Sequence, residues 1–258
     1  MHLIFDVDGT LYNKSRDYKG NGTILDSHEF MRYATYVAAL NRCVADEVVA
    51  GLVLGEYNRH VEQGSLLEAI AGFSSETKEE YSVLVEKHGS NGNVFVNEFG
   101  SNSGYLSEML SHIDFKEVLD EDYELQKTIS YLKQHHTLGI FTSEVYSTVE
   151  SVFEVLGLDL TDFSMILTAE DVVHKKPGRE GFDRVLQLTG QPSVNVNYIG
   201  DHLTKDVKAP LALGMRAIHV TWKSGDIKGK RVVPNLHGCY DSKSYIEIPT
   251  IYNLTEIF

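Results

Sequence analysis

Asp6 and Asp8 stand one residue apart at the end of the short apolar run HLIFDV, and Gly9 and Thr10 follow directly. Two carboxylates this close repel each other, and burial without a cation would leave one of them protonated. A strand that ends in D-x-D is therefore either a solvated turn or a site that takes positive charge. Further along, Thr142 closes the run HTLGIFTS, Lys176 precedes Pro177 in KKPGREGF, and Asp201 and Asp206 share the stretch YIGDHLTKD. Each has a plain structural reading when taken alone. Thr142 is an ordinary strand terminus, Lys175 and Lys176 are solvated, and Asp206 is an acid favoured at a helix N-terminus by the dipole. Taken together, they offer a metal and one lysine a place to build a local positive site for a small phosphorylated ligand.

The elements that must position these residues are clearest in the second half of the chain. HTLGIFTS (136–143), SMILTAED (164–171), VNVNYIGD (194–201) and MRAIHVTW (215–222) read as short buried strands. Leu125, Ile129 and Leu132 recur at helical spacing, as do Val149, Val152, Phe153 and Leu156, and then Phe182, Val185 and Leu186. Ser147 with Glu150 predicts a capping box, and Gly157 and Gly190 predict helix stops. Strands alternating with helices imply a doubly wound parallel sheet, an α/β core, with HLIFDV (2–7) as one more strand. In such sheets ligands bind at the carboxyl ends of the strands, where Asp6, Thr142 and Asp201 all fall. The stretches 31–63 and 74–89 read as helices. The predicted architecture is therefore a core of residues 1–13 and 118–258, interrupted at 14–117 by a mainly helical cap.

The four pieces DVDGTL, IFTS, KKPGREGF and YIGDHLTKD, in this order and each at a strand end, resemble the haloacid dehalogenase-like hydrolase superfamily, most of whose members are phosphatases. The resemblance covers about residues 1–15 and 120–222 and implies its Rossmann-like fold. His202 and Lys205 depart from the fourth motif at positions that are not obligatory ligands. Phosphate esters need a nucleophile, charge neutralisation and a proton for the leaving oxygen. The resemblance implies that Asp6 attacks phosphorus to form an aspartyl-phosphate, and that Asp8 is first general acid and then general base. It implies Mg²⁺ as cofactor, held by the Asp6 carboxylate, the Asp8 main-chain carbonyl and the Asp201 carboxylate, with Asp206 behind them. Thr142 and Ser143 would bind the phosphoryl oxygens, and Lys176 would pair with the phosphoryl group and Asp6. Asp8 favours phosphate chemistry over dehalogenation, because a departing halide needs no proton. Gly9 allows the sharp turn, and Thr10 would help to orient Asp8.

The expected activity is Mg²⁺-dependent hydrolysis of a small phosphorylated metabolite, a nucleotide or sugar phosphate. A phosphomutase on the same scaffold remains open, as does a binding protein that kept the fold without catalysis. A phospho-receiver domain is disfavoured, since receivers are about half this length and carry the acceptor on a middle strand. Within the insertion, Glu56, Tyr57, Asn58 and Arg59 form a polar cluster, whereas Phe73, Tyr81, Phe95, Phe99 and Tyr105 read as core. His112, His135 and His136 read as surface residues, and Asp171 and His174 as structural ones. In the tail 225–258, YIEIPTIYNL predicts an edge strand, because Pro249 cannot donate to a ladder.

Composition bounds the partners. The 258 residues are 42% hydrophobic and 23% charged, as in ordinary globular proteins. The net charge of −14 argues against a nucleic-acid backbone as main partner. No run is long and apolar enough for a membrane span, and no leader pattern opens the sequence. Two cysteines, Cys43 and Cys239, lack metal spacing and fit a reducing compartment, so a cytoplasmic setting is expected.

Overall fold

The computed structural model describes residues 1–19, 22–40, 46–89, 91–102, 105, 109–110, 113–223, 228–229 and 245–258. Cys43, Cys239, His112 and most of the tail lie outside them. The chain divides into two compact units, Met1–Asn13 with Glu121–Phe258, and Lys14–Asp120.

The first unit is built on a seven-stranded sheet of order β3-β2-β1-β4-β5-β7-β6. The strands are β1 His2–Phe5, β2 Thr137–Phe141, β3 Phe163–Leu167, β4 Val196–Gly200, β5 Arg216–Val220, β6 Lys228–Gly229 and β7 Ile246–Ile248. Every pairing is parallel except β6 with β7. Parallel strands are covered on both faces, which explains the unbroken apolar runs rather than an alternation. Leu3, Ile4 and Phe5 are all buried, and so is the whole of β4. Phe141, Phe182 and Tyr198 meet edge-to-face at ring separations of 5.1 and 5.2 Å in the centre of this core. The predicted edge strand is β7, but it pairs on both sides, with β5 and with the short β6. Pro249 follows it rather than lying within it.

Helix stops at Gly157 and Gly190 occur as predicted, each in left-handed backbone with its N–H bonded to the last turn. The predicted capping box at Ser147 does not form. That helix, Tyr146–Leu156, begins earlier, after Val145, and the Tyr146 N–H is satisfied by the Glu170 carboxylate at 2.8 Å. A long-range acid has taken the place of a local cap. His136 is half-buried against Phe258, with neither ring nitrogen partnered, so the surface reading of this histidine is corrected. Asp171 closes a capping box with Thr168, and His174 pairs with Glu180.

The second unit is helical: α1 Ile24–Leu40, α2 Asp46–Glu62, α3 Leu66–Gly72, α4 Ser75–His88, α5 Asn91–Phe99 and α6 Phe115–Val118. The first starts at Thr23, whose hydroxyl accepts from the Asp26 N–H while the Asp26 carboxylate accepts from the Thr23 N–H. Tyr81, Phe95 and Tyr105 are buried in a chain of tilted and edge-on rings that also takes in Tyr36 and Phe99. Tyr57 is fully buried and its hydroxyl donates to Ser27, so it does not belong to the exposed polar cluster around Arg59. Among the described residues, no helix is long and apolar enough to cross a membrane.

Candidate active site

Strand register brings the motif residues together. Phe5 stands opposite Ile140 on one side and Ile199 on the other. Asp6 therefore leaves β1 level with the last residues of β2 and β4, and Thr142 and Asp201 follow one step later. The main chain ties these exits together: Asp6 N–H donates to the Ile199 carbonyl and Thr142 N–H to that of Leu167, each at 2.9 Å. After Val7 the chain turns back, with Thr10 and Leu11 N–H both donating to the Val7 carbonyl. Gly9 sits inside this turn at φ +79°, a conformation glycine adopts without strain.

Lys176 is the hub. Its ammonium lies 2.8 Å from Asp6 Oδ1, 2.7 Å from Asp206 Oδ1 and 2.7 Å from the Tyr198 hydroxyl, with only 5% of the residue exposed. The Tyr198 hydroxyl donates onward to the Phe141 carbonyl. Burial works against the charged amine, but Asp6, Tyr198 and Asp206 together hold its pKa well above the ordinary lysine value. Asp206 is 1% exposed, and burial pushes its pKa up to about 6 while Lys176 pulls it back, leaving it ionised at neutral pH. Its second oxygen accepts from the His202 N–H at 3.0 Å. That grip depends on Gly200, because a Cβ there would lie 2.3 Å from the Asp206 Cβ.

Carboxylate oxygens of Asp6, Asp201 and Asp206 all lie within 4.8 Å of one another. Three hard oxygen donors on partly buried acids suit Mg²⁺. Lys176 and the His202 N–H engage one oxygen each of Asp206.

Asp8 is held by Tyr12, a fully buried residue whose hydroxyl donates to Asp8 Oδ1 at 2.8 Å. The Thr10 hydroxyl is buried without a partner, so the orienting part expected of Thr10 is taken by Tyr12. Thr142 Oγ1 accepts from the Glu144 N–H, and the Ser143 hydroxyl is buried and unpartnered. Glu144 adds a carboxyl that sequence reading missed. Burial, then Asp8 and Asp6, raise its pKa to about 7, with Lys175 and Lys176 opposing. Tyr12 and Tyr198 were also missed. Tyr12 falls one helical turn from Asp8, which was a usable hint, while Tyr198 looked like strand core because its ring is.

Comparison with known proteins agrees with this geometry. The family model for haloacid dehalogenase-like hydrolases matches residues 67–220, more than half of the chain. A zebrafish (Danio rerio) haloacid dehalogenase-like hydrolase domain-containing protein 3 is 34% identical over 99 residues, 37% of this chain and 40% of that protein. The pyrophosphatase PpaX of Bacillus cereus is 32% identical over 111 residues, 42% of this chain and 50% of its own. The chain thus aligns with about half or less of the curated relatives' length. Among solved structures, a HAD phosphatase from Thermococcus onnurineus superposes with a TM-score of 0.56 at 20% identity, covering 99% of this chain and 96% of that one. The motif residues at the strand ends, the parallel sheet and the family match together place this chain in the haloacid dehalogenase-like hydrolase family.

Proposed function

We propose that the protein is a Mg²⁺-dependent phosphomonoester hydrolase working through an aspartyl-phosphate on Asp6. The observation that carries this reading is the Asp6–Lys176–Asp206 ion cluster, with Asp201 beside it and Asp8 two residues from the nucleophile. Mg²⁺ would be held by the Asp6 and Asp201 carboxylates and the Asp8 main-chain carbonyl, and the chemistry it supplies there is neutralisation of phosphoryl charge.

Lys176 occupies Asp6 Oδ1, which leaves Oδ2 to attack phosphorus. The phosphorus–Asp6 bond forms as the ester oxygen departs, and Asp8 gives that oxygen its proton. The Tyr12 hydroxyl donates to Asp8 Oδ1 and so helps to orient the carboxyl that gives and takes the proton. A water molecule then attacks the same phosphorus, Asp8 takes its proton, and Asp6 and inorganic phosphate are released. Thr142 already accepts the Glu144 N–H, so its hydroxyl hydrogen is free for a phosphoryl oxygen, as is that of Ser143. The substrate class is a small phosphorylated metabolite, with a nucleotide or sugar phosphate preferred, and the insertion 14–120 would choose among them. The phosphatase names among the relatives support hydrolysis, and Asp8 favours it over dehalogenation.

A panel of phosphorylated metabolites assayed for phosphate release with Mg²⁺ and with EDTA tests the proposal. Release should require Mg²⁺ and vanish in Asp6→Asn. A folded Asp6→Asn protein, with deamidation excluded, that turns over at the wild-type rate would refute it. Phosphoryl transfer within the substrate without free phosphate would identify a mutase.

A further inference from the structure

Two main-chain carbonyls at this site are gripped by side chains of β5 and of the residues just after it. The Trp222 indole N–H donates to the Gly9 carbonyl at 2.6 Å, and His219 Nε2 donates to the Asp201 carbonyl at 2.9 Å. We infer that His219 and Trp222 are positioning residues, a two-point clasp that fixes the Asp6–Gly9 loop and the Asp201 loop relative to one another. This inference rests on the function proposed above.

Glycine at position 9 lets the loop turn, but it also leaves the backbone next to Asp8 free to swing. The Asp8 carbonyl is a proposed ion ligand, and the Gly9 carbonyl is one peptide away. A rigid indole at that carbonyl removes the freedom that glycine brings. Trp222 is itself held in left-handed backbone at φ +52°, which is uncommon for a bulky side chain and persists where surroundings impose it. Those surroundings are visible. Thr221 N–H donates to the Ile248 carbonyl on β7, just before Trp222. The Trp222 ring meets Tyr252 edge-on at 6.0 Å, and the Tyr252 hydroxyl donates to Asp122 Oδ2 at 2.7 Å. Asp122 in turn caps the helix Tyr123–His135 through Leu125 N–H. His219 is backed by Glu247 on β7, 3.4 Å from Nδ1. The segment 245–258 thus serves as the buttress of the clasp.

Trp222→Phe keeps an aromatic ring to pack against Tyr252 and deletes the donor, with the loss of the indole's second ring. Three measurements on the full chain decide the matter: kcat and KM for p-nitrophenyl phosphate, calorimetric binding of Mg²⁺ alone, and thermal unfolding. Loosening the loop should lower kcat about tenfold, leave KM within about twofold and weaken Mg²⁺ binding by about threefold or more, with little change in melting temperature. A kcat and Mg²⁺ affinity both within about twofold of wild type would overturn the clasp, as would a fall in kcat matched by loss of folded protein. If the variant does not fold, the wild type still answers, because Trp222 is the only tryptophan in the chain. Its emission should change when Mg²⁺ with inorganic phosphate is added, and an unchanged spectrum overturns the inference. A wild type that hydrolyses no ester refutes the phosphatase reading instead, while Mg²⁺ calorimetry and emission continue to judge the clasp.

Discussion

The Lys176 ammonium keeps two buried acids apart. Replacing it by methionine preserves length but leaves Asp6 and Asp206 as buried carboxylates without their common partner. Removing one member of a buried ion cluster costs about 3–5 kcal/mol. Lys176→Met should therefore lower stability by about that much in EDTA. Mg²⁺ should narrow the gap, since a cation held by Asp6 and Asp201 would offset part of the uncompensated negative charge. Turnover of every substrate should fall about a hundredfold or more, as for loss of a charge-stabilising donor. Urea unfolding with and without Mg²⁺ measures the first effect, and a gap unaffected by the ion would count against the shared site. Glu144 offers a second test with a definite sign. Its pKa is raised from 4.5 to about 7, chiefly by burial. Between those values the folded state keeps a proton that the unfolded chain has lost, so stability falls as pH rises through the window. By pH 8 the ionised carboxylate costs about 3 kcal/mol in metal-free protein. Glu144→Gln should flatten that slope and raise the melting temperature at pH 8 by about 6–12 °C. Parallel melting curves from pH 5 to 8 for the two proteins would show that the carboxyl is not strained.

At the scale of elements, β4 and the π-helical turn Leu203–Lys208 approach so closely that Gly200 has no room for a side chain. Gly200→Ala must push the turn away from Asp206 or bend the end of β4. Overpacking of this kind costs about 1–3 kcal/mol, and here it also loosens the Asp206–Lys176 contact. Mg²⁺ affinity by calorimetry should fall together with stability by urea unfolding, and unaltered ion binding would separate Gly200 from the site. The strands were legible in the sequence because parallel strands buried on both faces leave unbroken apolar runs such as LIF and YIG. Gly157 and Gly190 marked helix ends for an equally local reason, the left-handed cap. The start of the Tyr146 helix was not legible, because Glu170 caps it from a distant loop. The same division runs through the site. Asp6, Asp8, Thr142, Lys176, Asp201 and Asp206 were proposed from motif order, and the structure brings Asp6, Lys176, Asp201 and Asp206 close together. Tyr198, Trp222 and His219 act through contacts between residues far apart in sequence, and each sits in a segment whose pattern announces only strand core. Thr10 was assigned the orienting part by proximity to Asp8, although the buried Tyr12 one turn on has the reach.

For the whole molecule, the proposed function would have charge and the insertion act on one substrate. On that function, a net charge of −14 would repel a phosphorylated metabolite at long range, while Lys176 and a bound cation would attract it locally. Salt screens the distant charges more than the buried cluster. Between low salt and about 0.15 M ionic strength, kcat/KM should therefore rise if encounter is rate-limiting. The four motifs supply what a generic phosphoryl group needs, and none of them reads a leaving group. The unit Lys14–Asp120 is the large remaining surface, and its rings are committed to its own core. On the proposed function, selectivity would then come from its polar positions. Arg59 is exposed and pairs with Glu56 at 2.9 Å, and on the proposed function that pair would exchange with a substrate group. Loss of a charged hydrogen bond to substrate is worth about 1.5–3 kcal/mol, or about ten- to a hundredfold. Arg59→Ala and Asn58→Ala should therefore change kcat/KM unequally across natural esters while leaving p-nitrophenyl phosphate nearly untouched. Thr142→Val should depress all substrates by one factor, because it touches only the part they share. If the insertion variants instead scaled every substrate alike, leaving-group choice would have to lie in the loops that follow β2 and β3.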